Sequence, residues 1–227
     1  DTQEKTLEWL KNAMGILEQP SVTLLKVSDT NTTGLIGPCE FGTTYYAFVK
    51  ARGQSIKSSG QAGGSFGIGK WAPFALSDLR TVFVSTAYDE DSNRVELAQG
   101  KAVLMGHRHG DSTTATTKGS GYFGNPADCG PIDPVDDTPA WLRREESLGS
   151  GTTLFVAGFS PREQWQELLL ASVISNYFTA ISDRELEVYV NGSMRVDADN
   201  LWSWFENEAL MEAAKAEEQE GPLALAK

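Results

Sequence analysis

The sequence predicts an α/β fold, because helical and strand patterns alternate along its 227 residues. Glu4 to Leu17 repeats apolar residues at helical spacing, and Val22 to Ser28 follows as a near-continuous apolar strand that we expect to be central in a sheet. The stretch from Gly63 to Thr86 then runs through a glycine-rich loop, an apolar segment and a β-branched segment without a linker. The remaining predicted helices and strands lie between or after these three segments.

Composition narrows the class of protein. Hydrophobic residues make up 40% of the chain and charged residues 22%, which is typical of globular domains. A net charge of −12 argues against direct nucleic-acid binding, since phosphate contacts need a basic face. No apolar run approaches the roughly 18 residues of a membrane helix, and no signal peptide is visible. Cys39 and Cys129 form no metal or disulfide pattern, which suits a reducing cytoplasm. Because no long apolar run is present, we expect no membrane partner.

The middle of the chain predicts short elements around a polar segment. Gln54 to Ala62 is polar and small, as expected for a mobile lid. Two histidines, His107 and His109, could form a metal pair on a strand, although a solvated strand end explains them better. The remaining predictions here are a helix over Thr43 to Arg52, a helix over Trp71 to Leu79, a strand over Thr81 to Tyr88, and a hairpin of Val95 to Leu97 with Ala102 to His107.

The C-terminal half begins with a long segment of weak periodicity, Gly110 to Gly149, which we interpret as an insertion with little regular structure. Asn191-Gly192 is a strong hairpin signal. The other predictions are a strand over Gly151 to Gly158, a helix over Pro161 to Ile181, hairpin strands over Leu186 to Val190 and Met194 to Val196, and a helix over Leu201 to Glu220.

Three nucleotide motifs compete for the glycine-rich stretch, beside an ordinary surface turn. Gly64 to Lys70 fits the GxxxxGK phosphate loop, but Trp71 replaces the magnesium-binding hydroxyl and no buried strand precedes the loop. The GxGxxG pattern fails because Ala72 stands where the third glycine is needed. The third motif, GxFGxG followed by an apolar helix and a strand ending in Ser-Thr, matches over more than twenty residues.

This third pattern resembles the lid-end motif of the GHKL ATPases, which include gyrase B, heat-shock chaperones, histidine kinases and MutL. The resemblance implies a two-layer α/β sandwich of the GHKL (Bergerat) type, with a mixed, mostly antiparallel sheet and helices on one face. It also implies one domain over residues 1–227 that binds ATP and Mg²⁺. The loop residues that would hold the phosphates are Gly64, Ser65, Phe66, Gly67, Ile68, Gly69 and Lys70.

Two further elements follow the order of that family. Asp29 ends a strand before a turn through Asn31, Gly34 and Leu35, and the resemblance implies that its carboxylate accepts the adenine amino group. This turn departs from the usual DxGxG, since Asn31 replaces a glycine, and alone it fits an ordinary β-turn. Gly151-Thr152 opens a strand, and the resemblance implies that Thr152 bonds the adenine-site aspartate.

The family also needs a helix bearing Glu and Asn four residues apart. Glu8 and Asn12 have that spacing and would share a helix face, with Glu8 activating water and Asn12 binding Mg²⁺. Their distance along the chain from Asp29 is short for the family. We therefore favour a catalytic helix upstream of residue 1, in a fragment of a larger bacterial protein; a solvated polar pair is the third interpretation.

The function that the resemblance implies is ATP binding with slow Mg-dependent hydrolysis that drives a lid switch, in a DNA-transaction or defence protein. Partners would be ATP or ADP, a second copy of the chain, or further domains. Three alternatives stay open: a nucleotide-binding module without hydrolysis, a chaperone-like ATPase and a histidine-kinase-like domain.

Overall fold

The computed structural model describes residues 2–51, 69–106, 116–133 and 135–216. Two compact units divide the chain, Asp1–Ser160 and Pro161–Lys227, where the sequence suggested one domain. The described helices are α1 (Thr2–Leu17), α2 (Thr44–Val49), α3 (Ala72–Ala75), α4 (Trp165–Ser182) and α5 (Glu208–Ala216). The described strands are β1 (Leu24–Ser28), β2 (Thr81–Glu90), β3 (Asn93–Val103), β4 (Ser120–Phe123), β5 (Gly151–Ala157), β6 (Val188–Val190) and β7 (Met194–Val196).

The first unit is built on a five-stranded sheet in the order β1-β5-β2-β3-β4. Each neighbouring pair is antiparallel, so the α/β class is confirmed, while the described sheet is antiparallel rather than mixed. The strands that carry the Asp29 turn, the Gly151-Thr152 pair and the Ser85-Thr86 pair are three direct neighbours. These three segments, which are far apart in the sequence, are therefore close together in space.

The two faces of this sheet are covered differently. Tyr45 and Val49 of α2 pack with Val84 on one face. Phe155 lies on the opposite face, because neighbouring strand positions alternate, and it packs with Leu142 from the 116–150 segment. Ala13 of α1 packs with Ala157, which shares the Phe155 face. The helices α1 and α2 thus contact opposite faces, which differs from the expectation of helices on one face.

Strand positions within the sheet correct two predictions. In the described part of the chain β1 pairs only with β5, and its side chains are mostly exposed, with Val27 at 51%. The prediction of a central strand is wrong, since an apolar run does not reveal how many neighbours a strand has. The predicted hairpin between residues 95 and 107 is also wrong, because β3 is one strand of 11 residues that pairs along all of β2.

Several predicted elements are shorter or longer than expected. The helix α2 ends at Val49, and α3 has only 4 residues after a 3₁₀ turn at Gly69–Trp71. The predicted insertion contributes β4 to the sheet and three 3₁₀ turns, Val135–Asp137, Ala140–Leu142 and Glu146–Leu148. The predicted strands at β2 and β5 are confirmed.

The second unit has its own core, formed by buried side chains of α4, the β6–β7 hairpin and α5. The hairpin prediction is confirmed, and Asn191 (φ 51°) and Gly192 (φ 69°) both adopt the left-handed conformation that such a turn requires. The predicted last helix is broken into a 3₁₀ segment, Leu201–Glu206, and α5. Residues 217–220 of that prediction lie outside the described residues.

Candidate functional site

The candidate site lies where β1, β5 and β2 meet at one end of the sheet. Thr152 is the partner of Thr86 in the β2–β5 pairing, and the Asp29 amide continues the β1–β5 ladder by donating to the Thr152 carbonyl at 3.0 Å. We call this the Asp29 end of the sheet, defined by Asp29, Thr86 and Gly151–Thr152. Three motifs that are separate in sequence therefore form one cluster.

The Asp29 carboxylate is oriented by two internal donors. Its Oδ1 accepts the Thr152 backbone N–H at 2.6 Å and the Thr32 hydroxyl at 2.9 Å. No described residue donates to Oδ2, and Asp29 is exposed. The sequence implied a bond between Thr152 and this aspartate, and the structure forms it through the Thr152 main chain. One carboxylate oxygen is positioned by the protein while the other faces outward.

Thr86 is the fully buried hydroxyl behind this carboxylate. Its Oγ1 accepts the Leu35 backbone N–H at 2.8 Å and lies 3.1 Å from the Gly151 carbonyl, to which it donates. The Thr152 hydroxyl lies 3.5 Å away. Because a buried donor needs a partner, Thr86 fixes the turn after Asp29 against the neighbouring strand. This hydrogen bond holds the main chain of the turn and does not involve the Leu35 side chain.

Two glycines permit the close approach of these strands. Gly34 (φ +66°) would place a Cβ 2.7 Å from the Ala87 carbonyl and 2.8 Å from the Thr86 hydroxyl. Gly151 (φ +141°) would direct a Cβ against Asp29. Both positions therefore require glycine for conformation and for space. Asn31, which stands where the family has a glycine, is exposed and adopts φ 58°, as an asparagine tolerates.

Arg144 is a member of the site that the sequence analysis missed. It is 4% exposed, and its guanidinium donates to the Asp29 carbonyl at 2.6 Å and to the Thr153 hydroxyl at 2.9 Å. It also donates to the carbonyls of Leu148, Gly149 and Ser150. Burial lowers the pKa of Arg144, while the nearby Asp29 carboxylate acts in the opposite direction. The pair Arg143-Arg144 ahead of Gly151 was the only sequence signal, and it does not reveal which arginine is buried.

Two hollows lie near these residues in the described part of the chain. One is open, lies next to the Asp29 turn, and is lined by Thr30–Thr33, Asp89 and residues 147–150. The other, of about 70 Å³, lies between the sheet and the 135–143 segment and is lined in part by Ser85, Glu96 and Thr138. The second is too small for a nucleotide.

Only the last two residues of the predicted glycine loop, Gly69 and Lys70, belong to the described part of the chain. The lid over Gln54 to Ala62 and the loop residues Gly64, Ser65, Phe66, Gly67 and Ile68 lie outside the described residues. Gly69 opens the 3₁₀ turn before α3, and a helix of 4 residues gives little dipole for an anion. The Lys70 ammonium donates to the carbonyls of Ala47 and Ala51 at the end of α2, and burial lowers its pKa.

Glu8 and Asn12 are not brought to Asp29. Both are exposed on α1, and their neighbours Trp9 and Ala13 pack against Asp78, Leu79 and Ala157. Ala157 lies five residues along β5 from Thr152, which corresponds to about 17 Å of strand. The buried contacts of α1 are therefore at the opposite end of the sheet. This placement does not support the assignment of Glu8 as catalytic residue and Asn12 as metal ligand.

The described residues do not offer a metal site. Among them, no group of three or more His, Cys, Asp or Glu side chains is arranged to hold a metal ion. His107 and His109 lie outside the described residues. The Mg²⁺ that the resemblance implies does not fit at Asn12, which is exposed and distant from Asp29. In the same part of the chain, no helix has the length and apolar character needed to cross a membrane.

Comparisons of the chain with protein-family models, curated proteins and solved structures found no match.

Proposed function

We propose that this chain binds an adenine nucleotide, ATP, at the Asp29 end of the sheet, in the manner of the GHKL ATPases that its motifs resemble. The observation that carries the proposal is the Asp29 carboxylate, which is held through Oδ1 by Thr152 and Thr32 and has no described donor on Oδ2. Adenine carries an exocyclic amine that needs an acceptor, and an ionised carboxylate is a strong acceptor-only group.

The chemistry of this acceptor favours adenine over guanine. Guanine has a carbonyl where adenine has its amine, so a carboxylate oxygen at that point would face another acceptor. A polar group left without a partner in a binding site costs affinity, and sites built on hydrogen bonds reject analogues that lack the donor. The proposal therefore includes selectivity for ATP over GTP.

The neighbouring strands support the same proposal. Three motif segments of the resemblance, the Asp29 turn, Ser85-Thr86 and Gly151-Thr152, lie on adjacent strands and are linked by hydrogen bonds through Thr86 and Thr152. The glycine loop would supply main-chain N–H groups to the phosphates, with Gly67 and Gly69 contributing more than Lys70. The Lys70 ammonium donates to the carbonyls of Ala47 and Ala51 at the end of α2, which is consistent with a smaller contribution of Lys70 to phosphate binding.

Slow Mg-dependent hydrolysis and closure of a lid over residues 54–62 remain part of the proposal as its second step. Glu8 and Asn12, the pair that the sequence suggested for activating water and binding Mg²⁺, lie on a helix that packs at the opposite end of the sheet from Asp29. That placement favours the second candidate function, a nucleotide-binding module without hydrolysis. Phosphate release measured from the protein with ATP and Mg²⁺ distinguishes the two.

The substitution Asp29→Asn tests the proposal. The asparagine side chain can keep its carbonyl toward Thr152 and Thr32 while an amide NH₂ replaces the outward oxygen, so the turn is retained and the acceptor is lost. We expect ATP affinity, measured by isothermal titration calorimetry, to fall about tenfold or more, and the preference for ATP over GTP to shrink.

Asp91→Asn is the matched control, since it makes the same change in the β2–β3 turn, where φ is 48° and asparagine is tolerated. Its ATP affinity should equal that of the unchanged protein. If Asp29→Asn also binds ATP with unchanged affinity and selectivity, Asp29 is not the adenine acceptor and the proposal is wrong.

A further inference from the structure

Arg144 has a role in the site that its position in the sequence does not reveal. It comes from the segment before β5 that the sequence predicted to be an irregular insertion, and it is buried although it carries a charge that is not lost at physiological pH. Its hydrogen bonds go to main-chain carbonyls and one hydroxyl rather than to a carboxylate. Burying a cation in this way is costly unless its donors find acceptors, and each of the three guanidinium nitrogens has at least one here.

The guanidinium joins three pieces of chain that meet at Asp29. Nη2 donates to the Asp29 carbonyl, Nη1 to the Thr153 hydroxyl on β5, and Nε to the Gly149 carbonyl in the turn before β5. The preceding residue of β5, Thr152, donates its N–H to the Asp29 carboxylate. The main chain and the side chain of Asp29 are thus held from two adjacent positions.

Asp29 depends on such a contact because of where it lies. The strand β1 is at the edge of the described sheet and has one neighbour, so the residue at its end lacks support from a second strand. The planar fork of an arginine presents donors in fixed directions, and a lysine ammonium on a flexible stem cannot bond all of these acceptors. Replacing the Arg144 guanidinium would leave the Asp29 carbonyl without this donor and allow the carboxylate to rotate.

We propose that Arg144 is the positioning residue that aims the Asp29 carboxylate at the adenine amine. This inference rests on the proposed function, and it assigns a role to the segment before β5. Arg144 acts through Asp29 and does not itself contact the nucleotide.

The test is Arg144→Lys, with Arg143→Lys as the matched control. Arg143 is the preceding residue and is exposed, and it donates to the carbonyls of Asp136 and Thr138 instead. We expect Arg144→Lys to weaken ATP binding about tenfold and to reduce selectivity against GTP, and Arg143→Lys to bind like the unchanged protein. A double variant with Asp29→Asn should bind no more weakly than Asp29→Asn alone, because a residue that acts through Asp29 has no effect once the acceptor is gone.

A second measurement does not need nucleotide. The Thr152 amide is protected by the Asp29 carboxylate, so hydrogen exchange at Thr152 should be about tenfold faster in Arg144→Lys and unchanged in Arg143→Lys. If Arg144→Lys does not fold, Thr153→Val removes one acceptor of the guanidinium without changing side-chain size, and should raise Thr152 exchange and weaken ATP binding severalfold.

The outcomes separate this inference from the function on which it rests. If the unchanged protein binds no ATP, the proposed function fails, while hydrogen exchange at Thr152 still reports whether Arg144 holds Asp29 in place. If the protein binds ATP through Asp29 but Arg144→Lys leaves affinity, selectivity and Thr152 exchange unchanged, the positioning role is wrong. Additive losses in the double variant would also overturn it, since they would show that Arg144 acts independently of Asp29.

Discussion

The two ends of the five-stranded sheet combine polar and apolar contacts in different ways. At the Asp29 end, Thr86, Asp29 and Arg144 form directional hydrogen bonds between 2.6 and 3.1 Å. At the other end, Leu24, Thr81 and Ala157 are aligned across the strands, and Ala157 packs with Ala13 and Leu79. The buried Ser77 hydroxyl also donates to the Ala157 carbonyl and accepts the Thr81 N–H there. We call this the Ala157 end.

The difference shows where a ligand can bind on this sheet. Apolar packing is non-directional and tolerates small shifts, so the Ala157 end mainly contributes stability. Buried polar groups destabilise a fold when they lack hydrogen-bond partners. The Asp29 carboxylate is exposed, and only its Oδ1 accepts hydrogen bonds from the described residues. The Asp29 end therefore combines buried hydrogen bonds with an exposed acceptor, which is a pattern expected of a functional site.

The largest effect is expected from Gly151→Ala. A Cβ there would meet the Asp29 carboxylate and the Arg144 guanidinium in a backbone conformation that suits glycine. We expect a loss of about 3 kcal/mol in the free energy of unfolding, measured by urea denaturation, together with loss of ATP binding. Gly192→Ala is the control, because its Cβ would meet nothing within 4 Å at φ +69°, and it should cost only about 1 kcal/mol. Equal losses would show that the Asp29 end is not crowded.

Leu79→Ala tests the opposite end. Removing this largely buried side chain leaves a cavity beside Ala13 and Ala157 and should cost about 2 kcal/mol of unfolding free energy. ATP affinity measured well below the melting temperature should stay the same, since the ends are separated by the length of β5. A large drop in ATP affinity in a folded Leu79→Ala protein would contradict the separation of the two ends.

Thr86→Val and Thr81→Val compare both ends of one strand. Thr86→Val keeps the side-chain shape but leaves the Leu35 N–H without its acceptor, and should cost about 1–2 kcal/mol in unfolding free energy. Thr81 is less buried and its hydroxyl donates to the Leu79 carbonyl, so Thr81→Val should cost less than about 0.5 kcal/mol. The comparison fails if thermal melting ranks the two variants in the opposite order.

The smallest effect is expected from Glu8→Gln and Asn12→Ala. Both side chains are exposed on α1, whose neighbouring residues pack at the Ala157 end. Neither change should alter ATP affinity or any phosphate release that the protein shows. A loss of phosphate release with intact ATP binding in Glu8→Gln would restore Glu8 as the catalytic residue and would show that α1 reaches the nucleotide.

Local signals in the sequence determined many elements. The Asn191-Gly192 hairpin, the helix α1 and the strands β2 and β5 follow from turn chemistry and periodicity, which depend on residues close together in the chain. The order of Asp29, Ser85-Thr86 and Gly151-Thr152 also indicated a common site. That the three segments are adjacent is a property of the sheet that the sequence order does not by itself require.

Only the tertiary structure decided which strands lie at the edge and which polar groups are buried. The apolar run of β1 suggested a central strand, yet it has one described neighbour, because strand pairing depends on residues far away in sequence. The spacing of Glu8 and Asn12 correctly predicted one helix face, but not that the helix packs at the Ala157 end. The role of Arg144 depends on acceptors of Asp29, Thr153 and the turn before β5, and these acceptors come together only after the sheet has formed.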